Sequence, residues 1–155
     1  NIASGDDMLL MHKMRKKYPS RMGYVLSKDA IVNTQPMKTW KEFFNQRIRW
    51  ASKATHYEEK GLFLVLLLVY LFNLSFLAVA IAGFFYSKYW LYLLGMWLVK
   101  TIIEFPFVNA VARFFNKSVM MRYFFFFQPL HIIYTILSGF LSQFGKYEWK
   151  GRRVK

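Results

Sequence analysis

Gln46, Arg49 and Trp50 combine an amide, a guanidinium and a flat aromatic within one short stretch of the chain. On a helix, their i, i+3, i+4 spacing places all three on one face. A guanidinium presents a fork of N–H donors that suits a phosphate, and an indole suits the apolar face of a sugar ring. The same residues also suit a juxtamembrane helix with an interfacial tryptophan and an arginine near headgroup phosphates. Arg47 falls elsewhere on the helical wheel, so we predict a lipid or structural contact for it.

A second group that could do chemistry is the acidic pair Asp6-Asp7, which directly follows Ser4 and Gly5. An acidic pair at the start of a helix often serves only as a cap. Small residues before it would also let a substrate approach the backbone, where a carboxylate can act as a general base on an incoming hydroxyl. The pair alone is compatible with both roles.

Composition predicts that these groups work at a membrane. Of the 155 residues, 55% are apolar and 21% are aromatic, and the uncharged run Leu62–Tyr86 is long enough to cross a hydrocarbon core of about 30 Å. The chain contains no cysteine, which excludes disulfides and thiolate metal sites. The chain has a net charge of +14, and its basic residues cluster beside the apolar runs. This placement favours contact with anionic membrane lipids, so we expect no nucleic acid partner.

The polar first part of the chain must hold the candidate chemistry in place. It is predicted to form a helix over Asp6–Arg15, short strands around a turn near Ser27–Asp29 within Gly23–Thr34, and a helix from Thr39 to about Ala54. Pro19 ends the first helix, since it disfavours helical geometry before it. Thr39 and Glu42 form a capping-box pattern that opens the helix carrying Gln46 to Trp50.

The rest of the chain predicts two or three membrane helices, from the apolar stretches Leu62–Tyr86, Tyr89–Val111 and Tyr123–Phe144. Between the last two, Ala112–Arg122 has the pattern of an interfacial amphipathic segment. Lys100 and Glu104 lie one helical turn apart in the second stretch. Each charge costs about 2.5–3.5 kcal/mol on insertion scales, so we expect either a simple ion pair or a path for a glycan or lipid.

The positive charge of the basic tail, residues 146–155, and the number of predicted membrane crossings before it place the tail on different sides of the membrane. If residues 1–60 are cytoplasmic, three full crossings put the tail outside, whereas the positive-inside tendency favours the inside. Either the second or third stretch is re-entrant or interfacial, or the charge rule fails at this end. We expect a multi-pass membrane protein with residues 1–60, and also the tail, on the cytoplasmic side.

These features resemble the membrane-bound family 2 glycosyltransferases, which include cellulose, chitin, hyaluronan and poly-N-acetylglucosamine synthases and ceramide glucosyltransferase. The resemblance lies in three segments, of which the first, Ser4-Gly5-Asp6-Asp7-Met8-Leu9-Leu10, is similar to the family's acidic base motif. In the second, Thr34-Gln35-Pro36 and Thr39-Trp40 precede Gln46-Arg47-Ile48-Arg49-Trp50, which fits the family's Gln-x-x-Arg-Trp motif. The third is the ending Trp149-Lys150-Gly151-Arg152-Arg153. Apolar helices follow the second segment as in that family, and the resemblance covers essentially the whole chain.

The resemblance implies inverting transfer from a nucleotide sugar, most simply a UDP-sugar, to a glycan or lipid acceptor. Asp7 would be the general base with Asp6 as its support, Gln46 and Arg49 would bind the donor diphosphate, and Trp50 would sit beneath the acceptor sugar. The family also implies Mg²⁺ or Mn²⁺, because hard cations suit phosphate and carboxylate oxygens. No Asp-x-Asp metal motif occurs in this chain, so its ligands are expected upstream of Asn1.

The predicted fold class is therefore mainly α, with membrane helices following a truncated α/β remnant of a GT-A-type catalytic domain. Residues 1–60 are the expected end of that domain with its interfacial helix, residues 61–145 the membrane and interfacial helices, and residues 146–155 the tail. On this interpretation the chain is the carboxy-terminal portion of a transferase and is inactive alone. The alternative is a non-catalytic membrane anchor or a small transporter subunit.

Overall fold

The structure, a computed structural model, describes residues 6–53, 60–144, 147–149 and 152–154. Over these residues the chain forms five α-helices and one two-stranded sheet: α1 (Asp6–Lys17), α2 (Trp40–Ala51), α3 (Lys60–Phe85), α4 (Lys88–Phe114), α5 (Phe124–Phe144), β1 (Tyr147–Trp149) and β2 (Arg152–Val154). Short 3-10 helices cover Lys28–Ala30 and Ser118–Tyr123. The mainly helical class is confirmed, whereas an α/β remnant of a catalytic domain is not visible among the described residues.

Helix α1 is confirmed and extends two residues beyond the predicted end at Arg15. The amide of Tyr18 still donates to the carbonyl of Met14 at 2.7 Å, and the chain leaves the helix before Pro19, as the ring of a proline requires. Basic residues occupy the last turn, where a positive charge interacts favourably with the helix dipole.

The predicted strands within Gly23–Thr34 are wrong, although the predicted turn is present. The hydroxyl of Ser27 accepts from the amide of Asp29 at 3.2 Å and caps the 3-10 helix that follows. Val25 and Val32, on either side of the turn, are exposed. Their β propensity describes a fit to a pleated, half-buried surface, and no described strand lies beside them to provide one.

Helix α2 begins at its predicted cap. The hydroxyl of Thr39 accepts from the amide of Glu42 at 3.2 Å, and the Glu42 carboxylate accepts from the amide of Lys38 at 3.0 Å. The Thr39 bond satisfies an amide that the helix cannot satisfy internally. The Glu42 bond reaches back to the amide one residue before the cap, whereas a capping box uses the amide of the cap residue itself. The helix ends at Ala51, three residues before the predicted end.

Three described helical stretches are long and apolar enough to cross a membrane: Lys60–Phe85, Lys88–Phe114 and Ser118–Phe144. Within the predicted interfacial segment, the first three residues continue α4. The chain then turns through Asn116, which has a φ of 55°, a conformation that asparagine tolerates better than most residues. Whether this segment lies in the interface stays a prediction.

The described residues divide into two compact units. One unit comprises residues up to Val69 together with those from Leu137 onwards, and it therefore contains α1, α2 and the β1–β2 hairpin. The other unit is Tyr70–Ile136 and contains α4.

Candidate functional site

Helix α2 positions the amide, guanidinium and indole as their spacing predicts. Because residues 46, 49 and 50 are all helical, their side chains leave the same face of α2. Gln46 and Arg49 are partly buried, whereas Trp50 is 50% exposed. The helix thus offers two polar groups set into its surface beside an indole that remains accessible to a ligand.

Arg47 is more closely tied to this group than the sequence indicated. Its guanidinium carbon lies 4.7 Å from the ring centroid of Trp50 and 4.9 Å from that of Phe43. A structural contact was predicted for Arg47, but its aromatic partner was not. The i, i+3 spacing of Arg47 and Trp50 was the available signal. Cation–π contacts of this kind are worth about 0.5–1 kcal/mol at exposed sites, so Arg47 helps to fix the orientation of the indole.

The end of α2 adds a second residue that sequence reasoning missed. The chain turns after Ala51, with the Ser52 hydroxyl donating to the Arg49 carbonyl at 2.8 Å and the Lys53 amide donating to the Trp50 carbonyl at 3.1 Å. Lys53 is only 7% exposed. A cation is therefore buried close to Trp50, and no sequence pattern indicated it, because Lys53 lies beyond the end of α2 at Ala51.

The acidic pair lies at the start of α1, with Asp6 as the first residue of the helix and Asp7 as the second. Asp7 is exposed to solvent. Among the described residues, no hydrogen bond, ion pair or ring contact links Asp7 to Gln46, Arg49 or Trp50. Both helices belong to one compact unit, and the approach of Asp7 to Trp50 stays a prediction.

The carboxy-terminal hairpin lies beside the same helix. Strand β1 lies next to α2 and pairs antiparallel with β2 in the register Tyr147↔Val154, Glu148↔Arg153 and Trp149↔Arg152. The sequence identified this ending as a motif but gave no position for it. The structure puts the backbone of the hairpin next to the helix that carries the candidate site.

A separate polar cluster lies in the membrane-length helices. The Lys100 ammonium donates to the Glu104 carboxylate at 2.5 Å and to the Gln128 carbonyl oxygen at 3.0 Å, and the Gln128 amide donates to Glu104 at 2.8 Å. Lys100 and Gln128 are 3% and 2% exposed. The predicted Lys100–Glu104 pair is confirmed, and Gln128 closes it into a ring of three hydrogen bonds. A role in lining a path for a glycan or lipid stays a prediction.

Comparison with known sequence families gives a match over residues 5–155, to the family described as Glycosyl transferase family 21. The chain belongs to glycosyl transferase family 21. The family 21 match runs from the acidic pair to the end of the chain and so includes α2, the membrane-length helices and the hairpin. No curated protein and no solved structure gives a significant match.

Membership of family 21 confirms the resemblance to a membrane-bound glycosyltransferase and supports transferase activity in general. It implies a sugar donor and an acceptor, but it does not single out any of the synthases named above. The donor, the acceptor and the roles of Asp7, Gln46, Arg49 and Trp50 are therefore matters of proposal.

Proposed function

We propose that this chain provides the general base and the donor- and acceptor-binding side chains for the transfer of a sugar, with inversion, from a UDP-sugar to a glycan or lipid acceptor at a membrane surface. The observation that carries the proposal is the α2 surface itself. An amide, a guanidinium and an accessible indole share one helix face, a short distance in sequence before the membrane-length helix α3, in a family 21 chain.

In the proposed reaction, the Asp7 carboxylate takes the proton of the acceptor hydroxyl, with Asp6 as its supporting neighbour. The hydroxyl oxygen then forms a bond to the anomeric carbon of the donor from the side opposite the diphosphate. The bond from that carbon to the β-phosphate oxygen breaks, and UDP leaves with the bonding electrons. A single displacement of this kind inverts the anomeric configuration.

Gln46 and Arg49 are proposed to hold the donor diphosphate. A guanidinium can bind two phosphate oxygens at once, and its charge stabilises the negative charge that grows on the leaving group. Trp50 is proposed to lie beneath the acceptor sugar. Its 50% exposure leaves an indole face for a sugar ring, and its contact with Arg47 restrains that face.

The family resemblance implies Mg²⁺ or Mn²⁺, but the described residues do not provide a set of ligands for either metal. Among them, no group of three or more histidines, aspartates or glutamates could hold a metal ion. The proposed steps therefore use only the side chains of this chain. The metal site that the resemblance implies stays a prediction.

The experiment replaces the proposed groups in the protein as its own cells express it. Asp7→Asn, Arg49→Ala and Trp50→Ala are assayed in membranes by UDP release from a panel of UDP-sugars and by incorporation of labelled sugar. Loss of a general base alone is expected to lower the rate about 10²–10⁴-fold. Matched controls are Asp29→Asn and Arg21→Ala, two exposed positions at which normal transfer is expected.

Unchanged transfer in all three site variants would remove the enzymatic proposal and leave a membrane anchor or transporter subunit. The 155-residue polypeptide alone is expected to release no UDP from UDP-sugars, because it contains no Asp-x-Asp. UDP release by that polypeptide would show that the metal motif is not needed.

A further inference from the structure

The turn that follows α4 is held in shape by its own backbone hydrogen bonds. The Lys117 amide donates to the Ala112 carbonyl at 2.7 Å, and the Asn116 amide donates to the Arg113 carbonyl at 3.1 Å. With Asn116 at a φ of 55°, these two bonds form the Schellman motif that commonly ends a helix. The chain itself thus satisfies carbonyls at the end of α4, and the residues that follow have a defined place at the end of a membrane-length helix.

Three exposed cations surround this turn: Arg113, Lys117 and Arg122. They lie in the last turn of α4, at the turn itself and near the end of the 3-10 helix that follows. The sequence contains no aspartate or glutamate between Glu104 and Glu148. Among the described residues, no ion pair involves any of the three cations. Their positive charge is therefore not compensated within this part of the chain.

Exposed apolar side chains lie between these cations. Val119 is 66% exposed and Met120 is 64% exposed. Because a 3-10 helix has three residues per turn, residues three apart lie on the same edge. Val119 thus shares an edge with Arg122, and Met120 shares an edge with Tyr123, whose ring centroid lies 5.0 Å from the Arg122 guanidinium carbon. The remaining edge carries Met121, which is less exposed, and the 3-10 helix lies next to α4.

The combination of uncompensated cations and exposed apolar side chains fits the surface of an anionic bilayer. Apolar side chains can enter the boundary of the acyl chains while long basic side chains extend their charge to the headgroups. Each basic residue close to an anionic membrane surface adds to the attraction. The turn also ends a helix of membrane length, which holds it close to lipid. A soluble anion would pair with the cations but would leave Val119 and Met120 uncovered.

We propose that this surface, which we call the basic turn (Arg113, Lys117, Val119, Met120 and Arg122), binds anionic phospholipid headgroups in the leaflet at which α4 ends. The three cations contact the headgroup phosphates, and the valine and methionine lie among the first carbons of the acyl chains. This goes beyond the proposed function and does not depend on it, because lipid contact is measured without sugar transfer.

The test places one fluorophore in the basic turn, because the chain has no cysteine of its own. Ser118→Cys, at an exposed position, is labelled with nitrobenzoxadiazole in the full chain, which is reconstituted in phosphatidylcholine vesicles. Nitroxide-labelled phosphatidylglycerol or phosphatidylcholine is titrated in as a quencher, which gives the association constant of each lipid at the turn. The constant for phosphatidylglycerol is expected to be larger by at least about fivefold, the equivalent of one basic residue at an anionic surface.

The position of the nitroxide along the acyl chain reports the depth of the turn. A nitroxide near the glycerol end should quench the fluorophore more strongly than one near the methyl end. Equal association constants for the two lipids, or no quenching by either, would overturn the proposal.

Substitutions then assign the preference to the three cations. Arg113→Gln, Lys117→Gln and Arg122→Gln are each expected to lower the association constant for phosphatidylglycerol about fivefold and to leave that for phosphatidylcholine unchanged. Arg113→Lys, Lys117→Arg and Arg122→Lys keep the charge and should bind both lipids as the parent does. Tryptophan emission spectra check that each variant keeps its fold.

Lys88→Gln is the matched control, because Lys88 also lies over a tyrosine ring but at the other end of α4. It should leave the association constants at the labelled position unchanged. A preference for phosphatidylglycerol that persists in all three glutamine variants, or that falls equally in Lys88→Gln, would overturn the proposal.

A soluble phosphate is the other source of the same anionic group, and competition distinguishes it from lipid. Inorganic phosphate or UDP is added to the labelled parent protein at constant ionic strength. For a lipid surface, neither should change the association constant for phosphatidylglycerol. Displacement of phosphatidylglycerol by either anion would assign the cations to a soluble phosphate and overturn the proposal.

Discussion

The ammonium of Lys100 and the amide oxygen of Gln128 lie 3.0 Å apart although 28 residues separate them in the chain. Both side chains are almost completely buried, and each also bonds Glu104. The contact ties the middle of α4 to the first turns of α5. Buried polar groups of this kind are stable only when each has its partners, so the three residues should behave as one unit.

Lys100→Met is therefore expected to destabilise the protein more than removal of both charges does. The single change leaves the Glu104 carboxylate without its cation. Because the Glu104 side chain is 38% exposed, the expected cost is that of an unsatisfied polar group, about 1–3 kcal/mol, rather than that of a fully buried pair. The double variant Lys100→Met/Glu104→Leu removes the uncompensated charge as well and should regain much of that loss. The free energy of unfolding is measured in detergent micelles by denaturant titration, followed by tryptophan fluorescence.

Lys117→Met is the matched control, because Lys117 is exposed. A surface change of this kind is expected to stay within about 0.5 kcal/mol of the parent. If the double variant is no more stable than Lys100→Met, the three residues do not act as a unit.

Gly83 provides a second prediction, since a side chain there would meet the indole of Trp90. A Cβ on Gly83 would lie 2.9 Å from Trp90 Cε2 and 3.1 Å from Nε1. The indole is also held edge-on against Phe84, with ring centroids 5.3 Å apart. Gly83→Ala should therefore lower the free energy of unfolding by about 1–3 kcal/mol, the usual range for overpacking.

Gly95→Ala makes the same chemical change where a Cβ would meet nothing within 4 Å. Alanine favours a helix over glycine by about 0.5–1 kcal/mol, so this variant is expected to be at least as stable as the parent. The two substitutions should thus differ in sign in the same unfolding assay, and equal effects would contradict the contact at Gly83.

The sequence predicted the helices well because their signals are local. The uncharged run that became α3, the Thr39 cap of α2 and the end of α1 before Pro19 each depend on neighbouring residues alone. The face shared by Gln46, Arg49 and Trp50 followed in the same way from helical spacing.

The features that the sequence did not predict depend on distant partners. The apolar residues of Gly23–Thr34 have strand propensity, but no described strand pairs with them, and propensity alone does not form a sheet. The Lys100–Glu104 pair follows from a spacing of four, whereas its contact with Gln128 depends on how α5 meets α4. Strand β1 lies next to α2, although nearly all of the sequence between the candidate motif and the end of the chain separates them.

The cap of α2 gives a third prediction, because Thr39 holds the first turn of the helix that carries the candidate site. Thr39→Ala removes the acceptor of the Glu42 amide, at a typical cost of about 1 kcal/mol. Hydrogen exchange of the amides in the first turn of α2 should then be about fivefold faster. Thr39→Ser keeps the hydroxyl, so its amides should exchange at the rates of the parent protein. Equal exchange rates in the alanine and serine variants would show that the Thr39 hydroxyl does not stabilise the first turn of α2.

The last prediction separates the two arginines of α2 by what each contacts. Arg49 lies on the same face of α2 as Gln46 and is proposed to bind the donor diphosphate. Arg49→Ala should therefore lower kcat/KM for the UDP-sugar on the order of a hundredfold, because the negative charge on the leaving group loses a stabilising partner. Arg47 lies over the Trp50 ring, and Arg47→Ala frees that indole while leaving the diphosphate contacts in place. Its expected effect is a rise of about two- to fivefold in the KM for the acceptor, the equivalent of one cation–π contact.

Steady-state transfer with each substrate varied in turn distinguishes these effects, because the donor KM should be unchanged in Arg47→Ala. Combining Arg47→Ala with Trp50→Ala should add nothing to the rise in acceptor KM of Trp50→Ala alone, because Arg47 is expected to affect acceptor binding through the indole that it contacts. An additional loss in the double variant, or a donor KM that rises in Arg47→Ala, would mean that Arg47 meets the substrate directly.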